Sequence, residues 1–252
     1  MNKDIDNNNK SYYENNKEKI MKHFNSLIKV AEKVALSNYP DLDVHQIEEK
    51  ARDELDSILS RLPYVGGDKS PFTQLLIQSA ETIALYKASK ILNLSEREIW
   101  KMIYEVAESS AQSLSSVKKW LHRRSFFSKK MKNYWREWMK ESQKLKYSGN
   151  WVGEFIEGDN ENFDYGINFT ECGWLKLIQK EGTKEIAPYA CLSDYARMQT
   201  YGIGFRRTKT MAAGAEMCNF RFIRNYQTQR GWPPENLEEF KTSQAKDIFK
   251  KE

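Results

Sequence analysis

At 252 residues, 40% of them hydrophobic and 13% aromatic, the chain is long enough to bury a sizeable core as one domain or two closely joined lobes. Its 40 lysines and arginines against 35 acidic residues leave a modest net charge of +5, and no apolar run approaches the roughly 18 residues a membrane span needs, so no integral membrane segment is expected. The polar, Asn-rich N-terminus has no signal-peptide stretch and the three cysteines are odd in number and widely spaced, so the chain is expected in the cytoplasm with reduced thiols.

Residues 1–16 lack periodicity and are expected to form a mobile N-terminal arm. Leu27, Ile28, Ala31, Val34 and Ala35 then repeat at helical spacing, and Val44, Ile47, Ala51, Leu55, Ile58 and Leu62 predict a second helix ending at Pro63. Ser70-Pro71 reads as an N-cap with proline in the first turn of a long apolar helix, 72–92. Ser95 and Glu98 have capping-box spacing and open another, running to about Ser110.

The segment 118–146 is strongly basic, with Glu137 and Glu141 its only acids, and it carries Trp120, Phe127, Met131, Tyr134, Trp135 and Trp138. It reads as a single helix that buries its aromatic stripe against the C-terminal half and leaves its cations solvated. A basic aromatic face also suits a membrane surface, an acidic partner or nucleic acid, but no nucleic-acid-binding signature accompanies it, and no nucleic-acid partner is expected.

After Gly149 the pattern changes to strands. Runs 151–157 and 163–169 are rich in β-branched and aromatic residues and flank a Gly-Asp-Asn-Glu-Asn turn. A short helix over 171–180 and another over 189–199 follow, then a strand from Gly202 through Thr210 and its partner over 217–223. The expected fold class is α+β: an N-terminal helical bundle (17–146) packed on a small C-terminal antiparallel sheet with helices (147–252), as one compact unit. Gly202, Gly204 and Gly214 read as turn or bulge glycines, because the spacing of a phosphate-cradling loop is missing.

Chemistry concentrates in the second half. Cys191 and Asp194 fall at i and i+3 of one predicted helix and so share a face; Arg206, Arg207, Thr208, Thr210 and Cys218 follow within thirty residues. A cysteine early in a helix is favoured as thiolate by the helix dipole, and a neighbouring arginine adds positive charge, which is what a nucleophile needs. Asp194 is suited to handling protons or holding a substrate nitrogen, and an arginine to clamping a substrate carboxylate. The bland reading is that cysteines are often small core residues, and Cys172, beside Gly173-Trp174, fits it best. Zinc is the competing arrangement for Cys172, Cys191, Asp194 and Cys218, but no paired ligand spacing supports it, so neither metal nor cofactor is expected. His23, His45 and His122 all precede the strand-forming half, so any Cys/His pair has to be assembled from afar.

Pro63-Tyr-Val-Gly-Gly67, Thr82-Ile-Ala-Leu-Tyr-Lys87 and Leu94-Ser-Glu-Arg-Glu-Ile99 resemble the helical half of the L-2-amino-thiazoline-4-carboxylic acid hydrolase family. Cys191-x-x-Asp194, Arg207-Thr-x-Thr210, Gly214 and Cys218-Asn-Phe-Arg221 resemble its C-terminal signature, and the similarity runs from about residue 20 to 225. The resemblance implies hydrolysis of a C–N bond in a cyclic amidine or related non-peptide molecule. Joined to the residue chemistry, it implies Cys191, Asp194 and Cys218 as catalytic groups, with Arg207, Thr208, Thr210, Asn219 and Arg221 binding a small-molecule substrate. One departure is Asn219, where the family pattern usually has an aspartate; an amide cannot act as a general base. Acyl transfer to an amine through the same cysteine, or non-catalytic small-molecule binding, are the alternatives, and self-association is left open.

Overall fold

The computed structural model describes residues 12–144, 146–159 and 161–241. In chain order the elements are α1 (Lys17–Asn38), α2 (His45–Leu59), α3 (Pro71–Ser89), α4 (Glu96–Gln112), α5 (Ser116–Phe126), α6 (Lys129–Ser142), β1 (Val152–Glu157), β2 (Tyr165–Glu171), α7 (Gly173–Lys180), α8 (Ala187–Ala190), α9 (Leu192–Tyr201), β3 (Gly204–Arg206) and β4 (Cys218–Ile223). The fold is α+β. Two compact units divide the described residues: one holds those up to 106 with 147–150 and 173–184, the other those in 107–146, 151–172 and 185–241.

The first unit is helical. Ile20, Phe24, Ile28 and Ala35 line one face of α1, and Ile47, Ala51, Leu55 and Ile58 one face of α2, the spacing an amphipathic helix requires. The Ser70 hydroxyl accepts the Phe72 N–H at 3.2 Å and Pro71 occupies the first turn of α3, so the start of that helix is fixed locally. Helix α3 is buried on most sides, and Glu81 in its middle takes His23 Nδ1 at 2.7 Å. At the start of α4, Glu98 accepts the Ser95 N–H at 2.8 Å while the Ser95 hydroxyl accepts the Glu98 N–H at 3.3 Å, a reciprocal capping box.

Of the arm expected to be mobile, residues 1–11 lie outside the described residues, whereas Tyr12 and Tyr13 are anchored. Tyr13 is buried and donates to the Pro63 carbonyl at 3.0 Å, and Tyr12 donates to Asp68 at 2.7 Å. Aromatic burial extends order further towards the N-terminus than helical periodicity shows.

The second unit is built on a four-stranded antiparallel sheet of order β1-β2-β4-β3. Register places Phe155 opposite Ile167, Ile167 opposite Phe220, and both Tyr165 and Phe205 opposite Phe222, so one face of the sheet is largely aromatic. Phe126 from α5 sits 4.9 Å from Phe222, and Tyr195 from α9 sits 5.0 Å from Phe205. The other face carries Asn168, Asn219 and Arg221.

Two expectations need correction. The basic segment is two helices, because Ser128 ends one and caps the next by accepting the Met131 N–H at 3.2 Å; Phe127 and Met139 are buried, but Trp120 and Tyr134 face solvent. The strand expected through Thr210 stops at Arg206, and Arg207 turns inward. Thr228 seals that short edge, accepting the Phe205 N–H at 2.8 Å and donating to the Ile203 carbonyl at 2.6 Å.

Candidate active site

Cys191 is the junction between α8 and α9: it closes the first helix and occupies the N-cap of the second, with Asp194 one turn further on. The residues after β3 fold back beneath it. Thr210 is fully buried, and its hydroxyl caps a 3-10 turn over Met211–Ala213 that Gly214 closes at φ +85°, a conformation that suits glycine. The chain then re-enters the sheet at Cys218, whose sulfur accepts the Met211 N–H at 3.3 Å. One hydroxyl thereby meets two thiols: Thr210 Oγ1 lies 3.8 Å from Cys191 Sγ and 3.5 Å from Cys218 Sγ.

Arg207 organises the opposite side. Its guanidinium, 2% exposed, stacks among Phe220, Tyr195 and Phe205 at 5.1, 5.4 and 5.6 Å. Nη1 donates to Asp194 Oδ2 at 2.9 Å, Nε to Glu239 Oε1 at 2.9 Å, and Nη2 to the Cys191 carbonyl at 3.1 Å; Nη2 also lies 2.8 Å from Glu239 Oε1. Burial opposes the charge on this group, but the Glu239 and Asp194 carboxylates more than offset it and hold its pKa well above the ordinary arginine range. Tyr195 completes the network by donating to Glu239 at 2.6 Å; burial and then, after a partial offset by Arg207, the Glu239 carboxylate push its phenol up.

The electrostatic outcome at Cys191 differs from the sequence expectation. A helix N-terminus favours a thiolate by only about 0.3–1 kcal/mol, whereas withdrawing an anion from water costs several. Burial accordingly pushes the Cys191 thiol well up; Arg207 pulls it back, and Cys218, Cys172 and Asp194 push it up again. That direction favours the neutral thiol at Cys191.

The structure brings together Cys191, Asp194, Arg207, Thr210 and Cys218, and it sets Asn219 and Arg221 apart. Alternation along β4 turns those two to the opposite face of the sheet, where Arg221 donates to Asn168 at 2.9 Å. Asn219 is a loop brace: its Oδ1 accepts the Thr208 and Lys209 N–H groups at 2.9 and 2.7 Å, and its amide donates to Thr208 Oγ1 at 2.8 Å. Thr208 enters that brace through its N–H as donor and its hydroxyl oxygen as acceptor. Arg207 likewise has its donors committed to Asp194, Glu239 and Cys191, so it orients the site and has little left with which to clamp a substrate carboxylate.

Glu239 and Tyr195 are the members that sequence reasoning misses. Glu239 sits in a C-terminal 3-10 turn between buried Leu237 and buried Phe240, and that apolar bracketing is its only local signal. His122 packs against Tyr201, 4.7 Å away at the far end of α9 from Cys191, so no histidine of this unit reaches the thiols. Among the described residues no group of three His, Cys, Asp or Glu side chains is placed to hold a metal ion, and no helix is long and apolar enough to cross a membrane. A cleft of about 550 Å³ opens by the C-terminal end of α9, lined by Glu108, Lys119, Gln199, Thr200 and Arg230, where Arg230 is paired with Glu108 at 2.9 Å.

Residues 75–222 match the model of a family described as L-2-amino-thiazoline-4-carboxylic acid hydrolase. No curated protein and no solved structure matches the chain. The matched span contains Cys191, Asp194, Arg207, Thr210 and Cys218 and stops short of Glu239. Since it covers more than half of the sequence, the chain belongs to the L-2-amino-thiazoline-4-carboxylic acid hydrolase family.

Proposed function

We propose that this protein hydrolyses a C–N bond in a cyclic amidine or a related non-peptide small molecule, with Cys191 as the nucleophile and Asp194 as the proton handler. The observation that carries this reading is the seating of the Cys191 sulfur on the Thr210 hydroxyl, one helical turn from a carboxylate that is 32% exposed and so faces incoming substrate.

A neutral thiol suits such a substrate. Adding S–H across the C=N bond of an unprotonated amidine forms the C–S bond and delivers the thiol proton to nitrogen. Asp194 then carries a proton from that nitrogen to the second one, which leaves as an amine as the C–N bond breaks. Water adds to the remaining thioimidate carbon, the C–S bond breaks, and the sulfur regains its proton with an amide as product. Arg207 serves as a positioning residue, holding both the Asp194 carboxylate and the Cys191 carbonyl.

The test is turnover of a cyclic amidine panel, 2-amino-thiazoline-4-carboxylate included, followed by mass spectrometry. Cys191→Ser is expected to lower turnover by about 10³-fold or more, with a substrate adduct mapping to the Cys191 peptide in the wild type. Undiminished turnover in Cys191→Ala excludes it as nucleophile, and product containing an added amine in place of water makes the chemistry acyl transfer.

A further inference from the structure

Helix α5 is anchored on one side only. His122 packs on Tyr201 at 4.7 Å and Phe126 on Phe222 at 4.9 Å, while Lys119 donates to the Gln112 carbonyl at 3.2 Å. At 100° per residue these three side chains cluster on one face, and Val117, Trp120, Leu121 and Arg124 cluster on the face directly opposite. Those apolar residues are 68%, 56% and 53% exposed, a contiguous ridge of three large side chains turned to solvent. Arg124 lies in the same ridge with its guanidinium 5.4 Å from the Trp120 ring, and Lys118 flanks it, whereas Arg123 is turned back to the anchored side, where Nη2 donates to the Arg224 carbonyl at 2.8 Å. The sign of the charge is uniform: no acidic residue occurs between Glu108 and Glu137, and exposed Lys129 and Lys130 follow at the start of α6.

We infer that this ridge is a peripheral docking surface for an anionic lipid bilayer. Three physical features select that occupant. A tryptophan beside an arginine and a leucine is the composition that settles at a headgroup–acyl boundary, with the ring immersed and the guanidinium reaching back to phosphate. A second copy of the chain is disfavoured, because pairing two such ridges brings cations against cations with no acid to offset them. An amphipathic partner helix ordinarily lies in a groove, whereas α5 presents a convex ridge about 16 Å long, a shape that a deformable surface accepts. The ridge sits on the face of α5 opposite the sheet, so docking there leaves Cys191 and its neighbours undisturbed.

The experiment is co-sedimentation of the full chain with vesicles of phosphatidylcholine containing about one-third phosphatidylglycerol, with pure phosphatidylcholine vesicles and soluble heparin as comparisons. Binding is expected to the anionic vesicles and not to the neutral ones, weakening steeply as the Debye length falls from about 30 Å to about 8 Å. Lys118→Ala is expected to weaken partitioning about fivefold. Trp120→Ala and Leu121→Ala are each expected to weaken it about tenfold or more. Lys50→Ala, an exposed lysine on α2, controls for loss of one charge anywhere and is expected to change binding less than twofold. Far-UV circular dichroism checks that each variant is folded. The inference is overturned by no binding at low salt, by equal binding to neutral vesicles, by equal weakening in Lys50→Ala, or by full binding in Trp120→Ala. Heparin binding without vesicle binding also overturns it and assigns the cations to a polyanion. None of these readouts depends on turnover, so the proposed activity and the docking surface stand or fall separately.

Discussion

Removing the Glu239 side chain tests the internal ion network most directly. In Glu239→Ala, Arg207 loses its Nε and Nη2 contacts and Tyr195 loses the acceptor for its hydroxyl. What remains for a fully buried guanidinium is the neutral Cys191 carbonyl and Asp194, whose carboxylate is a third exposed and therefore partly screened by water. Breaking a buried pair from one side costs about 3–5 kcal/mol, chiefly because the surviving charge is stranded. Glu239→Gln keeps the volume and an acceptor for Arg207, and its amide can donate to the Tyr195 oxygen, so the expected loss is smaller, about 2 kcal/mol. Replacing both partners, as Arg207→Met with Glu239→Leu, orphans the Tyr195 hydroxyl but strands no buried charge, since the surviving Asp194 carboxylate is water-exposed, and is expected to fall within about 2 kcal/mol of the wild type, more stable than Glu239→Ala alone. Urea unfolding at neutral pH, followed by both fluorescence and circular dichroism, measures all three. A loss below about 1 kcal/mol in Glu239→Ala, or a double variant less stable than that single one, refutes the reasoning that charge stranding dominates.

Burial raises the Cys191 pKa, so native-state alkylation at that residue is expected to be slower at neutral pH than for a free thiol and to accelerate only in the alkaline range. The linked stability has a definite sign: the Cys191 contribution to the folded state is fully present below the ordinary thiol value and is lost progressively as pH rises from there to the raised folded-state value, because over that range only the unfolded chain ionises. Glu239→Gln leaves Arg207 less neutralised and is expected to increase Cys191 labelling near neutral pH, which peptide mapping after brief iodoacetamide treatment measures; unchanged labelling argues against electrostatic coupling through Arg207. Asn219→Asp is expected to change stability by less than about 1 kcal/mol, because a carboxylate still accepts the two backbone N–H groups and the Thr208 hydroxyl, which accepts from the Asn219 amide, can turn to donate instead, whereas Asn219→Leu orphans two backbone N–H groups and is expected to lose about 1–3 kcal/mol in the same unfolding assay.

What the sequence made legible was chiefly what is local. The caps at Ser70 and Ser95 are formed by partners two or three residues apart, so their spelling alone fixes where α3 and α4 begin. Strand alternation around Phe163–Phe169 is likewise written in a period of two, and the clustering of Cys191, Asp194, Arg207, Thr210 and Cys218 is visible because one helix, one turn and one strand follow in quick succession. Contributions from a distance were hidden. Glu239 reaches Arg207 across 32 residues, and nothing in Leu237-Glu-Glu-Phe240 says which of two adjacent glutamates turns inward. The break at Ser128 was masked by amphipathic periodicity continuing on both sides of it. Asn219 and Arg221 sit beside Cys218 in sequence, but a strand sends neighbours to opposite faces, so proximity along the chain misled.

Thr210 has one hydroxyl proton and stands between two sulfurs. It can donate to Cys191 or to Cys218 but not to both, so a bond to one sulfur leaves the other without a donor from Thr210. The orientation of one hydroxyl therefore decides which of the two thiols is hydrogen-bonded by Thr210 at any moment.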